Sequence, residues 1–147
     1  MAESRFLYLT YIRAPAQQVF DALIDPALNR QFWSGYHQES SWKVGADFAI
    51  VGPEGQAWDT GKVLAFDPPR RFSVTWNHQH DAAMKAEGES TCTFDLEALS
   101  DQLTKVTVTH VMPVADSKLI GAVSTGWPMI MSSLKSLLET GQPLGGG

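Results

Sequence analysis

The chain carries a single cysteine, Cys92, in 147 residues. One thiol cannot close an intramolecular disulfide or build a multi-cysteine zinc site, and it suits a reducing compartment. Basic residues are also scarce. Eleven Lys and Arg stand against 16 Asp and Glu, for a net charge of -5. Without basic surface there is little counterion release to drive nucleic-acid binding, and an anionic membrane is excluded on the same ground. No apolar run approaches the roughly 20 residues that a membrane helix needs. Met1 to Arg5 places Glu3 ahead of a short apolar run, which is unlike a signal peptide. These absences lead to an expectation of a cytoplasmic protein. Repeats and low-complexity tracts are missing too, apart from the glycines at 145–147, so 142–147 is expected to be a flexible tail.

What remains is ordinary globular material, 44% hydrophobic and 18% charged, and enough for one domain over residues 1–147. The elements follow from periodicity. Phe6 to Arg13 is rich in aromatic and branched residues on both alternating faces, which predicts a strand covered on both sides. Pro15 opens a helix carrying Ala16, Val19, Phe20 and Leu23. Asp25-Pro26 stops it and caps a second short helix with Leu28, Phe32 and Trp33. Turn signals then punctuate six strands: Gln38 to Lys43, Asp47 to Val51, Trp58 to Phe66, Arg71 to His78, Ser90 to Leu99 and Leu103 to Met112. The polar stretch Gln79 to Glu89 reads as a mobile loop. A long helix from Ser117 to Glu139, capped by Asp116 or Ser117 and ended by Gly141, presents an apolar stripe. The stripe runs through Ile120, Val123, Trp127, Ile130, Met131, Leu134, Leu137 and Leu138. Strands and helices are segregated, so the fold class is α+β.

A seven-stranded antiparallel sheet curls, and one helix about 10 Å wide cannot fill its trough. Pro128 beside Gly126 is expected to kink or loosen that helix. Five tryptophans are available to wall a cavity: Trp33, Trp42, Trp58, Trp76 and Trp127.

The candidate chemistry is sparse. His78 and His80 are two residues apart, so on a strand they share a face and could hold a metal with His110, Glu87 or Glu89. Two ligands without a clear third are a weak signal, a polar strand end running into an exposed loop accounts for them, and no metal is expected. His110 shares a strand face with Val106, Val108 and Met112, as a core histidine or a pocket base. No acid is spaced to partner it. Cys92, beside Phe94 and Leu96 on its face, reads as an inert buried thiol. Asp21, Asp25, Asp59, Asp67 and Asp95 form no evident pair. Arg70-Arg71 reads as a solvated strand start.

Several segments resemble one family in their order along the chain. Ala14-Pro15-Ala16-Gln17-Gln18-Val19-Phe20-Asp21-Ala22-Leu23 with Asp25-Pro26 is similar to its opening motif. Gly61-Lys62-Val63, Asp67-Pro68-Pro69-Arg70-Arg71 and Thr75-Trp76 resemble its central hairpin, and Val106 to His110 its last strand. Gly126-Trp127, Leu134-Lys135 and Leu138 to Gly141 resemble its C-terminal helix. The family is that of the activator of heat-shock protein 90 ATPase homologues, within the START-like (SRPBCC) superfamily. The resemblance implies a helix-grip fold, a curved sheet around the C-terminal helix, and a stress-response role. Function is not fixed by fold. The leading expectation is a non-enzymatic protein that binds a small apolar or aromatic molecule between sheet and helix, with no cofactor. Its site residues are Trp33, Trp58, Trp76, His78, His110, Met112, Trp127, Met131 and Leu134. One alternative is an interaction module acting on a chaperone ATPase. Another is a cyclase- or hydrolase-type enzyme using His78 or His110. Monomer and homodimer both remain open.

Overall fold

The structure, a computed structural model, describes residues 2–144. Seven antiparallel strands form one sheet: β1 (Ser4–Ile12), β2 (His37–Ser40), β3 (Asp47–Val51), β4 (Ala57–Asp67), β5 (Arg71–His78), β6 (Ser90–Ser100) and β7 (Leu103–Met112). Their order is β1-β7-β6-β5-β4-β3-β2, a meander from β2 to β7 with β1 added beside β7. Helices α1 (Ala16–Ile24) and α2 (Pro26–Phe32) link β1 to the meander, α3 (Ala82–Ala86) joins β5 to β6, and α4 (Lys118–Thr140) follows the last strand. This is the expected α+β helix-grip architecture. Among the described residues no helix is long and apolar enough to cross a membrane.

The inner face of the sheet alternates as a half-buried strand must. Val106, Val108, His110 and Met112 of β7 point inward, beside Cys92, Phe94 and Leu96 of β6. Phe20 of α1 packs edge-on to Phe66 and Phe72, and Trp42 closes over the same two rings. Asn29 fixes the helical corner. Its amide donates to the carbonyls of Ala22 and Leu23 at 2.8 and 3.1 Å and accepts the N–H of Gln38 at 2.9 Å. This ties α2 to both α1 and β2 and so places Trp33 and Tyr36 just beyond α2.

Ser117 caps α4 by accepting the Ile120 N–H at 3.1 Å, and Gly141, at φ 83°, ends it through a bond to the Leu137 carbonyl. The helix runs unbroken from Lys118 to Thr140 with Pro128 inside it. Lys135 and Glu139 reach across to the Tyr11 carbonyl and the Arg13 N–H, which holds the C-terminal half of α4 close to β1. Beyond the helix, Ser136 donates to the Gln142 carbonyl and the Leu144 N–H donates to Ser133. The rest of the expected flexible tail, 145–147, lies outside the described residues.

Three expectations need correction. The strand β1 is not covered on both sides, for Leu7, Leu9 and Tyr11 are 57%, 40% and 46% exposed. It is an edge strand whose outer face looks into solvent. The segment 79–89 is not a plain loop, because it contains α3, which Asp81 caps by accepting the Met84 N–H at 3.0 Å. The strand β2 stops at Ser40, and Trp42 adopts a left-handed backbone, φ 60°, that turns its ring into the core.

Candidate functional site

The sheet and α4 do not close on each other along their whole length. Toward its C-terminal end α4 is packed solid, with Met131 and Leu134 fully buried. Toward its N-terminal end a cavity of about 190 Å³ remains. Leu119, Ala122, Val123, Gly126, Trp127 and Ile130 form its helical wall. Ile50, Trp58, Asp59, Trp76 and His78 come from the sheet, Trp33 and Tyr36 from the α2–β2 corner, and Met84 from α3. The small residues Ala122 and Gly126 are why the space exists there: α4 offers little volume at the positions facing the trough.

The aromatic walls support one another. Trp127 lies at centroid distances of 5.5 Å from Trp33 and 5.7 Å from Trp76. Tyr36 stands edge-on to Trp58 at 5.8 Å, and the His80 ring lies against that indole at 3.7 Å.

The polar part of the lining is a pair made by β4 and β5. Asp59 is the direct cross-strand partner of His78, and Trp76 lies two residues back on the same face of β5. The Asp59 Oδ1 accepts the Trp76 indole N–H at 2.7 Å and the His78 Nδ1–H at 2.8 Å. Asp59 is only 7% exposed. Burial raises its pKa above the ordinary carboxylate value, against the opposing pull of the His78 and Trp76 hydrogen bonds.

His110 has a different role. The Trp127 indole N–H can only donate, so His110 Nδ1 accepts it, at 3.2 Å. Nε2 therefore carries the proton and donates to Ser90 Oγ at 2.8 Å, and Ser90 donates onward to the Trp76 carbonyl at 2.9 Å. Every polar atom in this chain is used, which leaves His110 no base function.

Burial lowers the His110 pKa from the ordinary 6.5 to about 4. The unfolded chain takes up this proton below pH 6.5, whereas the native state resists until about 4. Stability is therefore expected to fall as pH drops from 6.5 to 4, by up to about 3 kcal/mol, and to level off below. Asp59 acts with the opposite sign, since a raised carboxylate favours the fold as it protonates. Urea unfolding at stepped pH checks this. A His110→Gln variant should lose most of the slope in that window.

A second latch sits beside the cavity. Ser117 Oγ–H donates to Glu87 Oε1 at 2.6 Å, the Lys118 N–H to Oε2 at 2.6 Å and the Leu119 N–H to Oε1 at 3.4 Å. Burial alone would raise the Glu87 pKa, but these bonds and the Lys118 charge hold it below the usual range. Its contribution is thus present at neutral pH and lost on acidification. Glu87→Ala is expected to cost about 1 kcal/mol in urea unfolding. It should also speed hydrogen exchange at the Lys118 and Leu119 amides, and no change in exchange would show that the latch is idle.

Of the residues singled out from sequence, Trp33, Trp58, Trp76, His78 and Trp127 line the cavity. His110, Met112, Met131 and Leu134 are fully buried in the core and do not line it. His78 and His80 turn to different partners, Asp59 and Trp58. Among the described residues no three His, Cys, Asp or Glu cluster as metal ligands. Cys92 is buried, which pushes its thiol far above its ordinary pKa and leaves it unreactive. Arg70 pairs with Asp67 in solvent.

Nine lining residues were missing from the sequence-derived site, and Asp59 and Met84 show why. Counted back from the Asp67–Arg71 pair, a regular hairpin sets Asp59 opposite Gln79. A register shift between Val63 and Ala65 moves it to His78. Met84 was hidden because α3 has too few residues to show a helical period.

The family model described as Activator of Hsp90 ATPase homolog 1-like protein matches residues 13–139. The chain belongs to that family. No curated protein sequence matches it. Solved structures share the fold of this family member over most of its length. A protein from Mesorhizobium loti is 25% identical, with 92% of this chain and 97% of that chain covered and a TM-score of 0.78. The Aha1 dimer from Colwellia psychrerythraea is 22% identical, with 94% and 98% covered and a TM-score of 0.68. An HSP90 activator from Plasmodium falciparum is 18% identical, with 84% and 86% covered and a TM-score of 0.65. At 22% and 18% identity the last two speak for the fold alone.

Proposed function

We propose that this family member binds a small, largely apolar or aromatic molecule, without chemical conversion, in the cavity between the sheet and the N-terminal half of α4. The observation that carries the reading is the cavity itself, walled by Trp33, Trp58, Trp76 and Trp127. Cavities of about 150 Å³ lined by apolar side chains take up benzene. A volume of about 190 Å³ therefore suits one substituted ring or a small fused pair. Affinity would come from burying apolar ligand surface at roughly 25 cal/mol per Å², less ordering costs. Titration with a panel of small arenes, followed by tryptophan fluorescence and melting temperature, is expected to give saturable binding and a raised Tm. A Val123→Trp variant, which fills the space, should abolish both. No saturable response from any arene would overturn the reading.

A second reading rests on the family description and on β1. The solvent-facing Leu7, Leu9 and Tyr11 form an apolar strip of the kind that protein partners cover. Under this reading the chain raises the ATPase rate of an Hsp90-type chaperone, and Leu9→Ser with Tyr11→Ser weakens the effect. An unchanged rate with the native chain removes it. The dimer reported for the Colwellia protein makes self-association of this chain a related question, which sedimentation answers.

A further inference from the structure

The polar end of the cavity has a definite hydrogen-bonding sense. The Asp59 carboxylate spends Oδ1 on two donors, the Trp76 indole and His78 Nδ1. With Nδ1 as the donor to Asp59, the tautomer that completes this pair presents Nε2 as an acceptor. Among the described residues neither His78 Nε2 nor Asp59 Oδ2 has a side-chain or backbone partner, although both side chains line the cavity. The donors within this pair, the Trp76 N–H and the His78 Nδ1–H, are consumed inside it. What the cavity leaves open here are acceptors within a mostly apolar enclosure. An apolar guest that covered them without donating would strand buried acceptors, which is costly.

We infer that the ligand is a hydroxyarene, an aromatic molecule whose neutral O–H donates to His78 Nε2, with Asp59 as the positioning residue that fixes the imidazole tautomer and plane. This rests on the cavity-binding reading and names its ligand class. A neutral donor fits better than an ammonium. The carboxylate already has His78 at 2.8 Å, and a cation would have to leave water for a site where that partner competes with it. Asp59 binds no ligand atom in this scheme. It holds the ring so that the lone pair, rather than an N–H, faces the guest.

The test compares four probes of nearly equal shape by isothermal calorimetry: 4-ethylphenol, 4-ethyltoluene, 4-ethylanisole and 4-ethylbenzylamine. The phenol is expected to bind about fivefold or more tighter than the methyl and methoxy compounds, from one added hydrogen bond and one relieved acceptor. His78→Phe should bring that ratio close to one while 4-ethyltoluene still binds. Asp59→Asn should reduce the ratio about threefold or more with Tm little changed, and it decides the matter if His78→Phe does not fold. A merely structural role for either residue would weaken all four probes alike and leave the ratio intact. Equal binding of phenol and toluene overturns the inference but leaves the cavity reading standing. Tighter binding of the amine than of the phenol also overturns it, by giving Asp59 to a cation. Failure of all four to bind overturns both.

Discussion

Trp127→Ala is expected to remove about 5 kcal/mol of stability, enough to threaten the fold of an ordinary domain. Deleting a buried Trp ring typically costs about 3–5 kcal/mol through lost burial and the void left behind. Trp127 is 3% exposed and touches Trp33, Trp76 and Phe94, so several rings lose a neighbour at once. The substitution also strands His110 Nδ1, and an unsatisfied buried acceptor adds about 1–3 kcal/mol. Trp127→Phe separates the two effects. It keeps a ring but removes the N–H, so its loss should be near 2 kcal/mol. With the indole gone from Nδ1, His110 should also take up its proton more readily, which narrows the acid window described above. Urea unfolding of both variants at neutral pH, with an NMR titration of His110 in the Phe variant, checks this. A loss below about 1 kcal/mol for Trp127→Ala would mean that the ring cluster relaxes freely and is no hub.

Gly61→Ala should be nearly as damaging, at about 3 kcal/mol, for a reason that concerns backbone rather than core. A Cβ at this position would stand 1.9 Å from the Thr75 carbonyl oxygen and 2.5 Å from its carbon. Neither atom can rotate away, so β4 and β5 must separate. The approach is close where the regular β4–β5 ladder is interrupted and the Lys62 N–H bonds to the Thr75 side chain at 2.8 Å. The damage reaches the cavity, since Asp59 lies two residues before Gly61 on β4 and pairs with His78, three residues after Thr75 on β5. Gly121→Ala serves as the control. Nothing lies within 4 Å of its added Cβ, it sits inside α4, and the change should stabilise by about 0.5–1 kcal/mol. Thermal unfolding of the pair, with arene binding measured on each, checks both. A Gly61→Ala protein that melts and binds like the parent would show that the close crossing is not needed.

The sequence carried the element order because that order is written in local periods. The apolar stripe of α4, the Asp25 and Ser117 caps, the stop at Gly141 and the turn at Asp67-Pro68-Pro69 can all be read without a partner in view. So could the aromatic share of the cavity wall, since Trp33, Trp58, Trp76 and Trp127 are the bulky residues that the element order brings to one side. The enclosed role of His110 was legible only as one of two options. Its neighbours Val106 and Val108 mark a buried face, but the partners that use up both its nitrogens, Ser90 and Trp127, come from another strand and from α4.

By itself, then, the chain's sequence determined the order of the seven strands and of α1, α2 and α4, though not α3, and the family they make together. Tertiary structure decided the rest: that the trough is full beneath Met131 and Leu134 yet open beside Ala122 and Gly126, and that Asp59 meets His78 rather than Gln79. Periodicity is a property of a few neighbouring residues. A void is the difference between volumes contributed by distant segments, and a one-residue register shift changes which side chains face each other without changing the composition of either strand.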